Sequence, residues 1–291
     1  MNETENANPT ETFRNRMLEQ QELLRYRMKQ IKHKIAVISG KGGVGKSTIT
    51  VNLAAAFAML GKQVGILDAD LHGPSVPRLL GLTGQQARIG PPGAFPVKGP
   101  LGMKVISIDF FLSEERTPTI WRGPLKMTAI RQLLSDIVWG ELDILFIDLP
   151  PGTGDEPLSI AQLLPDIDGV VIVTMPSELS RAVVNKAITF ARRLSLPIIG
   201  IVENMSGFVC PKCGEKIDIF QSGGGKKLAE EAGVPFLGSI PLDPKVSMDS
   251  DKGALFVVEH ADSPVAKAFS KIVKKVEAYL KEREEPKAST K

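Results

Sequence analysis

The run Gly40-Lys41-Gly42-Gly43-Val44-Gly45-Lys46-Ser47-Thr48 restricts the fold more than any other feature of the chain. It matches G-x-x-x-x-G-K-[ST], a motif that works only between a strand and a helix. Both flanks are present. Ile35–Ser39 is an apolar, β-branched run, and Lys46–Leu60 carries a helical pattern. Glycines let the backbone turn its N–H groups toward an anion. The following helix aims its positive N-terminus at the same point. Gly40 to Thr48 is therefore a candidate ATP site, with Lys46 for the β- and γ-phosphates and the Ser47 hydroxyl for Mg²⁺.

From residue 35 onward, short apolar runs alternate with helical stretches. The expected strands are Ile35–Ser39, Gln63–Asp68, Lys104–Ile108, Asp143–Asp148, Gly169–Thr174, Pro197–Glu203 and Pro235–Ile240. The expected helices are Lys46–Leu60, Leu125–Val138, Leu179–Leu194, Lys226–Glu231 and Pro264–Glu282. Continuously apolar strands separated by helices predict an α/β chain. The expected architecture is a three-layer P-loop NTPase fold, with a mostly parallel sheet and helices on both faces.

One ATPase domain is expected over residues 34–283, with a cysteine knuckle at 207–220. Residues 1–33 form an N-terminal tail and helix, and 284–291 a disordered solvated tail. Residues 1–10 read as disordered. Over 11–33, Phe13, Met17, Leu24, Met28 and Ile31 form one helical face, which packs on its own domain or, less favoured, reaches a partner subunit. Gly73–Gly102 is rich in Gly and Pro and reads as a long functional loop.

The net charge of +3 is too small to argue for nucleic acid or an anionic membrane as the main partner. Aromatic residues are only 5%, which disfavours a stacking surface for single strands. No apolar run approaches the roughly 20 residues that span a bilayer. No secretory signal is visible at the N-terminus, and two cysteines, Cys210 and Cys213, cannot staple a fold. A reducing, cytoplasmic setting is expected.

Further nucleotide-site candidates follow in order. Asp148 ends an apolar strand, where a Walker B carboxylate belongs. Asp148-Leu149-Pro150-Pro151-Gly152 supplies D-x-x-x-G, in which the Gly152 N–H can sense the γ-phosphate. Asp70 ends the second strand in Leu67-Asp68-Ala69-Asp70. Cys210-Pro211-Lys212-Cys213-Gly214 is a single C-x-x-C, open to three readings: a redox pair, half a zinc site or half an iron–sulfur site. Gly207 and Gly214 bracket a hairpin knuckle with Val209 and Ile217–Phe220 as its strands. A tetrahedral metal or all-cysteine cluster needs four thiolates, so a two-fold dimer is the simplest completion.

The loop with its second lysine, Lys41, resembles the deviant loop of the MinD/ParA/nitrogenase-iron-protein branch of P-loop ATPases. That resemblance implies that Lys41 crosses a homodimer interface to the partner's nucleotide. It also implies that Asp70 holds magnesium or orients the attacking water. Asn204, Pro241 and Asp243 are implied at the adenine, although for Asn204 a turn role weighs equally. The chain more closely resembles the Mrp/ApbC family of iron–sulfur cluster carrier ATPases. The shared strings include Asp68-Ala69-Asp70-Leu71-His72-Gly73-Pro74-Ser75, Trp121-Arg122-Gly123-Pro124, Glu203-Asn204-Met205-Ser206, the C-x-x-C and Gly223-Gly224-Gly225. The family implies an ATP-hydrolysing dimer that carries a [4Fe–4S] cluster on Cys210 and Cys213 of both subunits and passes it to apo iron–sulfur proteins. The runner-up is a MinD/ParA-type positioning ATPase at membrane or DNA, suggested by the lysine-rich C-terminal helix. A zinc-bridged dimer is the third reading.

Overall fold

Side chains alternate between the two faces of a strand, so a strand apolar at every position needs cover on both sides. The central strand, Ile31–Ser39, meets that condition over its apolar run Ile35-Ala36-Val37-Ile38. Its Ile35 and Val37 enter one buried core and its Ala36 and Ile38 the other. The computed structural model describes residues 9–288 apart from 113–122, 153, 165, 211 and 221.

In chain order the elements are α1 (Pro9–Lys29), β1 (Ile31–Ser39), α2 (Lys46–Met59), β2 (Val64–Asp68), α3 (Val76–Leu79), β3 (Arg88–Gly90), β4 (Gly93–Phe95) and β5 (Val97–Lys98). There follow β6 (Lys104–Ile106), α4 (Gly123–Ser135), β7 (Leu142–Asp148), α5 (Asp155–Leu163), β8 (Gly169–Thr174), α6 (Glu178–Arg193) and β9 (Ile198–Glu203). The chain continues with β10 (Phe208–Val209), β11 (Lys216–Ile217), α7 (Gly224–Ala232), β12 (Phe236–Ser239), α8 (Pro244–Lys252), α9 (Phe256–Glu259) and α10 (Pro264–Ala288).

The main sheet has eight strands in the order β12-β9-β8-β1-β7-β2-β6-β5. Every neighbouring pair is parallel except β5 with β6. Helices α2, α9 and α10 close one face, and α1, α4, α6 and α7 the other. This is the three-layer α/β architecture expected. The carboxyl ends of β1, β7 and β2 lie side by side, with Asp68 in register with Asp148. In open α/β sheets ligands bind at that edge.

Several boundaries differ from the expectation. Helix α1 stops at Lys29, because Ile31 pairs with Leu142 and begins the sheet. Leu24 and Met28 are buried in the same core as β1, so the helix packs on its own domain. The tail expected over 284–291 is helical as far as Ala288, as a continuation of the C-terminal helix. Glu284 docks there onto β1, 2.7 Å from His33 Nε2 and 2.9 Å from Lys32 Nζ. Gly73–Gly102 is not structureless. It holds α3, the β3–β4 hairpin and β5, which are too short to show a period in sequence. Helix α8 buries none of its residues and so has no apolar stripe to betray it.

In α10, Val265, Phe269, Ile272, Val276 and Leu280 are all buried against the sheet. Its apolar stripe is thus occupied, which removes the reason for seeing a membrane-lying helix. Among the described residues no helix is long and apolar enough to cross a membrane.

Candidate functional site

The phosphate loop leaves β1 at Ser39 and enters α2 at Lys46. Gly45 caps the helix in the left-handed region, at φ 80°. A side chain there would be strained, and its Cβ would stand 2.3 Å from Asn204 Nδ2. The loop lines an open cleft of about 290 Å³ together with Asp70, Ser75, Leu79 and Pro151.

Lys46, Ser47 and Asp148 converge at the cleft floor. Lys46 Nζ lies 2.7 Å from Asp148 Oδ1 and donates to Ser47 Oγ at 3.2 Å. Asp148 is fully buried and accepts from the hydroxyls of Ser47 at 2.5 Å and Thr50 at 2.7 Å. Asp68, also fully buried, accepts the backbone N–H groups of Asp70, Ser75 and Val76. Burial pushes its carboxyl well above the usual range, and the neighbouring Asp148 adds to the rise. Asp70 is half-buried on the cleft wall, where its Oδ1 accepts the N–H groups of His72 and Gly73 at 3.2 and 3.0 Å. Lys41 lines the same cleft. Among the described residues its ammonium has no ion-pair partner.

Gly152 has φ 91° and donates its N–H to Ser39 O at 2.9 Å. The turn from Asp148 to Gly152 is therefore tied to the root of the phosphate loop, with that N–H already engaged. Asn204, Pro241 and Asp243 do come together around a second cavity of about 190 Å³, which shares Gly45 and Thr48 with the cleft. Two of the three already have structural work. Asn204 Nδ2 donates to Val44 O at 2.9 Å, and Asp243 caps α8 by accepting from Lys245 N. Pro241 forms wall.

The cysteines sit where a knuckle was expected. β10 and β11 pair antiparallel, and Gly207 and Gly214 adopt φ 69° and 75°. Cys210 N–H donates to Glu215 O, and Gly214 N–H to Cys210 O, both at 2.9 Å. Cys213 is exposed and Cys210 half-buried, both as free thiols. The Cys213 backbone N–H, followed by that of Lys212 and the Cys213 thiol, pulls the Cys210 thiol pKa below its usual value. That environment favours thiolate, the form that binds metal. Val209, Ile217, Ile219 and Phe220 are exposed beside it. Among the described residues no group of three or more His, Cys, Asp or Glu side chains is placed to hold a metal ion.

Four buried polar residues escaped the sequence reading. Thr50 donates to Asp148, and Asp68 gathers the backbone N–H groups of the loop after β2. Glu156 is 2.8 Å from Lys126 and 3.8 Å from His72, and so ties the loop after β2 to α4 and α5. Glu203 has no exposed surface and accepts from Ser206, Gly223, Gly225 and Ser239. The available signal was an acidic residue ending an apolar strand, which also fits a simple cap. Trp121 and Arg122 lie outside the described residues.

A parallel sheet with a glycine loop clasping the start of α2, and a lysine–carboxylate pair beneath it, defines a P-loop nucleotide-binding protein. The chain belongs more narrowly to the NUBPL iron-transfer P-loop NTPase family (ParA), whose model matches residues 30–277. It is 56% identical over 262 residues to the iron-sulfur cluster carrier protein of Methanocaldococcus jannaschii, covering 90% of each chain. The protein of the same name from Saccharolobus solfataricus is also 56% identical, over 250 residues, with 86% of this chain and 84% of that one covered. A nucleotide-binding protein from Archaeoglobus fulgidus, solved with ADP, superposes with a TM-score of 0.74 at 44% identity, covering 86% of this chain and 96% of that one. MinD from Aquifex aeolicus, at 20% identity and a TM-score of 0.61 over 84% of this chain and 97% of that one, shares the fold.

Proposed function

We propose that this protein is an ATP-hydrolysing carrier that holds an iron–sulfur cluster between two copies of the chain and delivers it to apo-proteins. The observation that carries this reading is the exposed knuckle. It offers two free cysteines on a hairpin edged with apolar side chains, with no further ligand set among the described residues. Two knuckles facing each other across a two-fold axis supply four thiolates, the number that a [4Fe–4S] cargo requires. The backbone N–H groups aimed at Cys210 would stabilise the thiolate and tune the cluster. The carrier names of the relatives point the same way.

On the nucleotide side, Lys46 and the loop N–H groups bind the phosphates of ATP. The Ser47 hydroxyl and the Asp148 and Asp70 carboxylates are hard oxygen donors suited to Mg²⁺. The ion neutralises phosphate charge when bound. A triphosphate in the cleft competes with Asp148 for the Lys46 ammonium. Lys41, unpaired in its own chain among the described residues, supplies a cation to the nucleotide of the partner subunit and offsets charge on the transferring phosphoryl group. Asp70 orients the attacking water.

Anaerobic reconstitution tests the cargo site. Wild-type protein should bind about four iron and four sulfide per dimer and absorb in the visible. Cys213→Ala should lose both. Equal iron and sulfide in the two proteins would overturn the assignment, and a colourless dimer holding one zinc would favour the zinc-bridged alternative.

A further inference from the structure

The cysteine hairpin is an insertion whose two feet meet at one buried carboxylate. Glu203 ends β9 with no exposed surface. At one foot it accepts the Ser206 hydroxyl at 2.5 Å, and at the other the N–H groups of Gly223, at 3.0 Å, and Gly225. Ser239 Oγ adds a fourth donor at 3.3 Å from the neighbouring strand. The very next residue grips the phosphate loop. Asn204 Nδ2 donates to Val44 O at 2.9 Å and packs against the bare Cα of Gly45.

Between these points the backbone bends twice. Met205 is a non-glycine residue in the left-handed region, at φ 57°, and Gly207 follows at φ 69°. Strained positions of this kind gather at switches, and hinges absorb their motion in a few such residues. The same stretch is zipped to the wall of the base-side cavity. Ser206 N–H donates to Ile240 O, and Leu242 N–H to Gly207 O, both at 2.9 Å. A ligand that moves Val44 or fills that cavity thus acts on the root of the hairpin with no flexible linker in between.

We propose that Glu203 and Asn204 form a pivot that transmits the nucleotide state of the phosphate loop to Cys210 and Cys213. Asn204 is the loop-side grip, and Glu203 clamps the hairpin's feet. Both are positioning residues. The proposal rests on the cluster-carrier reading, and it assigns that site's regulation to two side chains. It also gives Gly225 a reason, since a Cβ there would stand 3.0 Å from Glu203 Oε2.

The test uses full-length, metal-free, reduced protein and reads alkylation of Cys210 and Cys213 by iodoacetamide, with and without saturating Mg²⁺ and a non-hydrolysable ATP analogue. In wild type the nucleotide should change the Cys213 rate at least about fivefold, as a coupling of ordinary size would. In Asn204→Ala, brought to nucleotide saturation, the ratio should fall to about one, which is no coupling. Ser206→Ala, which loosens one foot without removing a residue that lines either cavity, should lose most of the ratio while its nucleotide affinity stays at the wild-type value. A wild-type ratio of one, or a full ratio in Asn204→Ala, overturns the pivot. So does failure of folded Asn204→Ala to bind nucleotide at all, because Asn204 would then be a ligand contact. If Asn204→Ala does not fold, Ser206→Ala decides alone, and a full ratio there overturns the proposal. The readout contains no iron. Cluster assembly with a ratio of one would therefore sink the pivot and keep the carrier, and a nucleotide-sensitive ratio without cluster assembly would do the reverse.

Discussion

Replacing Lys46 with Ala should destabilise the nucleotide-free protein, whereas replacing Lys41, five residues earlier in the same loop, should not. Lys46 is 7% exposed and Asp148 is fully buried, with their charged atoms 2.7 Å apart. Removing one partner of a buried pair leaves an uncompensated charge and costs about 3–5 kcal/mol. The Ser47 and Thr50 hydroxyls still solvate Asp148, so about 3 kcal/mol is the better expectation. An unfolding entropy of about 2.1 cal/mol/K per residue gives roughly 0.6 kcal/mol/K for 291 residues, and hence a Tm about 5 °C lower. Lys41→Ala should stay within about 0.5 kcal/mol of wild type, as surface substitutions do. Urea unfolding at pH 8, without nucleotide or magnesium, measures this. Equal stability of Lys46→Ala and Lys41→Ala at pH 8 would refute the reasoning, because the ion pair would then contribute nothing.

Two further substitutions probe the frame around the site. Gly45→Ala forces an alanine to φ 80° and should cost roughly 1–2 kcal/mol together with weaker ATP binding. Because its Cβ meets Asn204 Nδ2 at 2.3 Å, the stability loss should be smaller in an Asn204→Ala background, and a double-mutant cycle showing strict additivity would count against the clash. At the opposite end of β1, burial raises the Asp168 pKa, but the His33 ring 3.5 Å away, the hydrogen bond from the Lys34 N–H and the Lys34 charge outweigh it and leave the carboxyl below its usual value. Such a group adds stability above its unfolded pKa and loses it as pH falls through the folded one. Asp168→Asn should therefore be less stable than wild type at pH 6, with the gap closing toward pH 3. A gap that widens on acidification would contradict this.

The sheet was largely legible because its strands are apolar on both faces, a pattern that local sequence states without ambiguity. Strands β2, β7, β8, β9 and β12 fall within two residues of their expected limits. Elements with no periodic signal were not legible. α8 buries no residue fully, β3 and β4 have three residues each, and Ile31 fits a helical stripe as well as a strand start. At the site, Lys46, Ser47 and Asp148 were legible because their chemistry demands fixed spacing from a strand end. Asn204 was expected at the adenine or in a turn, and its amide is bound to Val44 O in this structure, a pairing between residues 160 positions apart.

The sequence alone determined which reactive groups the chain carries: a glycine loop with its lysine and serine, and two thiols three positions apart. Those are properties of residue type and short spacing, which backbone sterics and side-chain chemistry settle locally. Only the tertiary structure decided how the two sites are joined. Burial turned Glu203 from a strand-end acid into the clamp of the hairpin. Sheet order brought Asn204 against Gly45, and a neighbouring strand end zipped the segment between them. Such long-range contacts arise from packing, where burying a polar group requires that its partners be found wherever the fold delivers them.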